Sequence, residues 1–363
     1  MDRPNIVLFF GGCSSEYGVS LQSAAAVMEG VDRRRWQLIP VGITRQGAWF
    51  YYPGDAQGVR QDRWLGEGCV PALLCPDRGR GELMLLESGG LSRLRVDAAF
   101  PVLHGRNGED GSIQGLIQMA GIPLAGCGVL SSALCMDKDR AHRMAAQWGV
   151  PSPLGMVVTG NTPLDRARRF ANQVGYPLFV KPVKAGSSYG ITQVEEPEGL
   201  EDAIALALEY DREAILEQKV PGVEVGCAVV GKAELLTGEV DQVELTQGFF
   251  DFEEKYTLKT SAIRVPAPIA PDKAAQIKQT AKTLYRALDC SGFARVDMFL
   301  TPQGQVLFNE VNTIPGFTPH SRFPGMLRAA GYSFAQVPVS YTHLGWSAWR
   351  RWPPPGPPGR RPR

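Results

Sequence analysis

The sequence predicts a doubly wound α/β domain followed by α+β segments whose strands are mainly antiparallel. Three observations carry this. An apolar run, Asn5-Ile-Val-Leu-Phe-Phe10, meets the Gly11-Gly12 turn and then a helical segment from Ser20 to Met28. A second strand-to-loop-to-helix transition follows Ala98-Ala-Phe-Pro-Val-Leu103. In the second half of the chain, apolar runs succeed one another across turns, and they close in a hairpin around residues 294–308.

Bulk properties narrow the function classes. The chain has 363 residues, enough for two or three domains of roughly 100–200 residues each. A net charge of +1 gives no general surface for a polyanion, so no nucleic-acid partner is expected. Seven scattered cysteines without a Cys-x-x-Cys pair, and no signal peptide, read as reduced thiols in a cytoplasmic protein. Nothing approaches the apolar length that would insert in a membrane.

Each element follows in order. After Gly12 the next glycine is Gly18, so the dinucleotide fingerprint is absent. Glu16, at the carboxyl end of the first strand, either holds a substrate ammonium or serves as a helix-start carboxylate. Residues 36–43 read as a second strand, while residues 46–90, rich in Gly, Arg and Pro, give no clear pattern. The loop His104-Gly-Arg-Asn-Gly-Glu-Asp-Gly111 precedes a helix at residues 112–120. Such a transition is where α/β domains bind ligands, and His104 is either a substrate contact or a buried structural hydrogen bonder. Residues 122–128 read as strand and turn, and Ser131 or Ser132 caps a helix running through residues 136–142.

A domain boundary is placed just before Lys138. Helical character spans residues 165–174, and Leu178-Phe-Val180 delivers Lys181 into a Gly/Ser loop containing Gly186, Ser187, Ser188 and Gly190. A lysine and backbone N–H groups there can meet phosphates, or the segment is a plain turn; the P-loop order is missing. A helix at 197–209 leads to a strand at 214–220, where Glu217 either holds adenine or ribose hydroxyls or lies on a solvated edge. Strands at 224–230 and 238–245 precede a polar, aromatic stretch, 248–260, which is a candidate lid carrying Lys255 and Tyr256. After an amphipathic helix at 272–288 comes the hairpin. Asp297, Glu310 and Asn312 converge there as oxygen donors suited to Mg²⁺ and phosphate, with Arg295 on the same strand face as Asp297. The plainer reading is a surface hairpin with solvated charges.

Taken together, the motifs resemble one family. Gly11 through Glu16, the His104–Gly111 loop, Met136-Asp-Lys138, Lys181 through Gly190, Lys255-Tyr256, Arg295-Val-Asp297 and Asn309 through Ser321 stand in the order found in D-alanine–D-alanine ligases. These are ATP-grasp enzymes of peptidoglycan precursor synthesis. The resemblance covers residues 4–336 and extends to the D-alanine–D-serine ligases of vancomycin resistance. It implies an N-terminal α/β domain (1–137), a central ATP-grasp subdomain (138–221) and a C-terminal catalytic subdomain (222–336), the last two clasping ATP.

The resemblance also implies roles. Lys138, Lys181, Glu217, Val220 and Glu224 would line the ATP cleft, and Lys255 would touch the γ-phosphate. Asp297, Glu310 and Asn312 would hold two Mg²⁺, with Mn²⁺ able to substitute. Glu16 would bind the ammonium of the first D-alanine in a set with Ser187 and Tyr256, near His104. Arg295 and the Gly316 N–H would stabilise the oxyanion, and Ser321 would bind the acceptor carboxylate. Tyr256 argues for an amine acceptor over D-lactate. Arg322 stands where many relatives have an apolar residue: it either meets a serine hydroxyl or turns to solvent. Gln218 departs from the usual lysine beside the adenine carboxylate. The implied assembly is a homodimer through the N-terminal domain. Residues 337–363, rich in Pro, Trp and Arg, depart from the family and are expected to be disordered.

Overall fold

The computed structural model describes residues 3–186, 189–245 and 261–332. Ser187, Lys255, Tyr256 and the aberrant tail therefore lie outside the described residues.

The N-terminal region opens with β1 (Asn5–Gly11), α1 (Tyr17–Gly30), β2 (Gln37–Ile43), β3 (Trp49–Tyr51) and α2 (Ala56–Arg60). It continues through β4 (Val70–Leu74), β5 (Glu82–Glu87), β6 (Gly90–Arg95), β7 (Ala98–Pro101) and α3 (Ser112–Met119). Seven strands form one sheet in the order β6-β5-β4-β3-β2-β1-β7. Parallel pairing joins β2, β1 and β7 and continues in a bridge from Ala99 to Leu124. The stretch that the sequence left without a pattern adds β3 to β6 as an antiparallel meander. Short strands broken by glycines and arginines carry too little alternation to be read from sequence. Side chains of β1 alternate between two cores: Ile6, Leu8 and Phe10 face α1, while Val7 and Phe9 face α3.

Two helices, α4 (Val129–Met136) and α5 (Lys138–Gln147), replace the single helix expected from residue 131 onward. Ser131 and Ser132 are buried inside α4, so neither is a cap. The break falls at Asp137, whose side chain accepts from the Arg140 N–H at 3.0 Å and starts α5. That break places Lys138 at the first turn of a new helix.

The central unit comprises β8 (Gly155–Thr159), α6 (Leu164–Val174), β9 (Leu178–Pro182), β10 (Thr192–Val194), α7 (Leu200–Tyr210) and β11 (Glu213–Gln218). Its antiparallel sheet runs β10-β9-β11-β8. The C-terminal unit comprises β12 (Val223–Gly231), β13 (Leu235–Thr237), β14 (Asp241–Leu245), β15 (Ser261–Arg264), α8 (Pro271–Ala287), β16 (Gly292–Leu300), β17 (Val306–Asn312) and α9 (Arg322–Ala329). Its strands run β15-β14-β12-β16-β17, with β13 on β12.

This last sheet has two unlike faces. Ala294, Val296 and Met298 pack with Ile277, Ala281 and Leu284 of α8. Phe293 and Ala228 turn the other way, into the core that contains α1. The N- and C-terminal regions thus share a core. Phe100 lies 5.4 Å from Phe317 and 6.0 Å from Phe293, ring centre to ring centre.

One irregularity sets the chemistry of the hairpin. Arg295 pairs with Asn312 and Asp297 with Glu310, but Met298 pairs with Phe308, leaving Asn309 as an extra residue. Without that bulge, Phe308 and Glu310 would project to the same face. With it, Phe308 and Val311 enter the α8 core while Glu310 and Asn312 face Asp297 and Arg295. Deleting Asn309 should therefore leave Phe308 and Glu310 adjacent, alternating to the same two faces in an unbulged ladder, and the denaturant midpoint should report a loss of no more than about 1.5 kcal/mol, the cost of a hydrogen bond such as that from His142 to the Asn309 carbonyl. A loss of about 3 kcal/mol or more, as for a charge driven into the core, would show that the extra residue does more than set this parity.

Candidate active site

A cavity of about 760 Å³ opens where the β1–α1 turn, the His104–Gly111 loop, the α4–α5 junction and the end of β17 meet. It gathers nine of the residues singled out from sequence. Glu16 and His104 come from the N-terminal domain, and Lys138 from the start of α5. Arg295, Glu310 and Asn312 come from the hairpin, and Gly316, Ser321 and Arg322 from the segment after it. Lys181, Glu217, Val220, Glu224 and Asp297 do not line it.

Glu16 sits at the N-cap of α1 yet makes no capping hydrogen bond with its side chain. It is buried, and glycines from two loops close over it. A Cβ on Gly105 would come within 2.4 Å of Glu16 Oε2, and one on Gly186 within 2.8 Å. Gly105 also has φ +72, a conformation that favours glycine. Glu16 thus stands at the helix start, one of the two positions read from sequence, with glycine backbone packed over its carboxyl group.

His104 is buried, with Nε2 3.2 Å from Ser23 Oγ. Burial, reinforced by the charge of Arg295, pushes its pKa down to about 4, so the ring is neutral near pH 7. Beside it stands Glu109, which sequence reasoning passed over. Burial, with the nearby charge of Glu16, pushes the Glu109 pKa up to about 8. Its oxygens accept N–H bonds from Gly105 at 2.9 Å and Ile314 at 3.1 Å. The only sequence signal was a second acid in a glycine-rich loop.

Behind the cavity wall lies a charge network on the sheet. Arg295 Nη2 and Nε reach Asp297 Oδ2 at 2.6 and 3.0 Å, and Asn312 Nδ2 donates to the same oxygen at 3.1 Å. Arg322 is buried rather than turned to solvent. Its Nε and Nη2 grip Asp241 at 2.7 and 2.9 Å, Nη1 donates to Glu224 at 2.6 Å, and Nη2 is 3.4 Å from Asp297 Oδ1. Burial works against the charge of Arg322, but these three acids hold its pKa well above the usual value. Gly226 makes the arrangement possible, because a Cβ there would fall 2.6 Å from Arg322 Nη2 and 2.7 Å from Asp241 Oδ1.

On the central unit, Lys181 pairs with Glu217 across β9 and β11. Burial, the largest influence, would raise the Glu217 pKa, but the charges of Lys181, His142 and Lys138 and the Lys181 hydrogen bond together outweigh it and hold the pKa below the usual value. Glu217 Oε2 is buried with no hydrogen-bond partner among the described residues. Such an acceptor suits the amino group of a purine. Lys138 Nζ donates to the Ala185 carbonyl at 2.6 Å, which ties α5 to the Gly/Ser loop. Glu224 faces Arg322, and Val220 follows the end of β11, half-buried.

Comparison with known proteins gives the family. Residues 5–127 match the family model described as D-ala D-ala ligase N-terminus, and residues 146–340 that described as D-ala D-ala ligase C-terminus. A protein of Streptomyces coelicolor, provisionally named a D-alanine–D-lactate ligase, is 43% identical over 342 residues, 93% of this chain and 96% of that one. Vancomycin C-type resistance protein VanC1 of Enterococcus gallinarum is 40% identical, covering 91% of this chain and 94% of its own. The crystal structure of VanG D-Ala:D-Ser ligase from Enterococcus faecalis superposes with a TM-score of 0.87 at 46% identity, covering 94% of this chain and 98% of that one. The chain belongs to the D-alanine–D-alanine ligase family of ATP-grasp enzymes.

Proposed function

We propose that the chain joins D-alanine to a second D-amino acid, at the expense of ATP and through a D-alanyl phosphate, to make a peptidoglycan precursor. The observation that carries this reading is the single cavity in which buried Glu16 faces the Arg295, Glu310 and Asn312 side chains of the hairpin. A carboxylate is a poor electrophile. Its oxygen takes the γ-phosphoryl group, releasing ADP, and the amine of the second substrate then attacks the acyl carbon. Phosphate departs with the electron pair of the broken C–O bond, and the amine loses a proton. Both steps build negative charge, which a fixed guanidinium is suited to stabilise.

Within this scheme Glu16 anchors the ammonium of the first D-alanine, with Ser187 and Tyr256 in support and the neutral His104 beside it. Lys138, Lys181, Glu217, Val220 and Glu224 receive the nucleotide, and Lys255 its γ-phosphate. Arg295 and the Gly316 N–H face the developing oxyanion, and Ser321 meets the acceptor carboxylate.

The residues present fit a hard divalent cation. Asp297, Glu310 and Asn312 offer only oxygen ligands. Four carboxylates on this side of the sheet (Asp297, Glu310, Glu224 and Asp241) face two guanidiniums, those of Arg295 and Arg322, an acidic excess of two. Two Mg²⁺, or Mn²⁺, held by Asp297, Glu310 and Asn312 would neutralise phosphate charge during transfer.

D-Alanine is the acceptor in the main reading. The buried Arg322 favours a second, with D-serine. A guanidinium has five N–H donors. The hydrogen bonds to Asp241 and Glu224 engage three of them, and the second Nη1 hydrogen can meet a hydroxyl at the cavity wall. The reading also carries a homodimer and a cytoplasmic location. Among the described residues no helix is long and apolar enough to cross a membrane.

Phosphate release from ATP with D-alanine alone, then with D-alanine plus D-serine, tests the assignment. Arg295→Ala should lower kcat about 10²–10³-fold, the cost of one oxyanion donor, while nucleotide still binds. Near-normal turnover would rule out its role. For the acceptor, kcat/KM measured for D-alanine and D-serine in the unaltered chain should favour D-serine if Arg322 reads the hydroxyl. A strong D-alanine preference would leave the main reading alone.

A further inference from the structure

Three polar side chains of the N-terminal domain converge on one short segment of the C-terminal domain, residues 313–317. Glu109 Oε1 accepts the Ile314 N–H at 3.1 Å, across 205 residues of sequence. Ser23 Oγ accepts the Phe317 N–H at 3.3 Å, across 294 residues. His104 stands beside the two, its Nε2 3.2 Å from Ser23 Oγ and its ring influenced by the Ile314 backbone. Glu109 is itself fixed by the Gly105 N–H at 2.9 Å. All three side chains are buried.

Gly316 lies between the two anchored residues. A Cβ on it would fall 2.7 Å from Ser321 Oγ, so the backbone there passes close to the side chain read as binding the acceptor. Joining the two domains does not need this polar set, because Phe317 already packs 5.3 Å from Phe293 and 5.4 Å from Phe100. Burying a polar group is costly unless its hydrogen bonds are remade. What the clamp adds over apolar packing is direction: it fixes the orientation of the peptide units on either side of Gly316.

We propose that Ser23, His104 and Glu109 are positioning residues, which hold the Gly316 N–H where the oxyanion forms when the amine attacks the acyl phosphate. This inference rests on the ligase reading. An oxyanion donor acts only when aimed at the place where charge develops. A displacement of about 1 Å costs up to roughly 10²-fold in rate. Loosening the clamp therefore slows amine attack while leaving phosphoryl transfer to the first D-alanine largely intact.

The two steps can be measured separately. Reversible formation of the acyl phosphate scrambles label between the bridging and non-bridging oxygens of ATP, and ligation is read as dipeptide. In Ser23→Ala, and in Glu109→Gln, which keeps the shape but loses one acceptor, the ratio of scrambling to ligation should rise at least about tenfold. Rates are counted per nucleotide site titrated, so a misfolded fraction does not enter. If one variant fails to fold, the other carries the test. A ratio unchanged from that of the unaltered chain, with both rates equal or lowered together, would overturn the proposal and leave the clamp a purely structural contact. The ligase reading fails separately, and takes this inference with it, if the unaltered chain shows neither scrambling nor ligation with D-alanine.

Discussion

Asp297 is the group on which the rest of the structure turns. It is only 1% exposed, and a carboxylate taken out of water must be met by cations and donors. Arg295 meets it from the same strand, Asn312 from the opposite one and Arg322 from α9. Arg322 in turn requires Asp241 and Glu224, and the whole set requires a glycine at position 226. Removing one member leaves an uncompensated buried charge, which costs about 3–5 kcal/mol. A network of this kind is a poor way to gain stability and a good way to fix the angles of its members. The hairpin is therefore a rigid platform that holds its side chains before substrate arrives, as electrostatic catalysis demands.

The second constraint is burial of the groups facing that platform. The same loss of water that lowers the pKa of His104 raises that of Glu109, so two titratable groups side by side are both largely neutral near pH 7. Neutral partners accept and donate hydrogen bonds without adding charge beside Glu16.

Much of this was legible in the sequence because the signals were local. The hairpin was visible in its turn, Thr301-Pro-Gln-Gly304, and in the charge pair that interrupts an apolar strand. The Lys181 strand end and the His104 loop declared themselves through glycines. The family that the resemblance named is the one whose two models match the chain. What escaped depends on distance. The bulge at Asn309 exists because a core on one side and a site on the other need opposite parity, which no single strand reveals. Glu109 looked like one more loop acid because its partner, the Ile314 N–H, lies 205 residues further along the chain. Asp137 broke a helix that periodicity alone would run straight through. Arg322 could equally have been solvated, because its partners stand about 80 and 100 residues away.

The aromatic seam formed by Phe100, Phe293, Phe317 and Phe323 has a consequence for modularity. The first and last thirds of the chain melt into one hydrophobic interior instead of touching across a wet boundary. Exchanging either third with that of a relative would mean transplanting matched ring shapes along with the active-site side chains. Recombination in such a protein is therefore constrained by its interior before it is constrained by its chemistry.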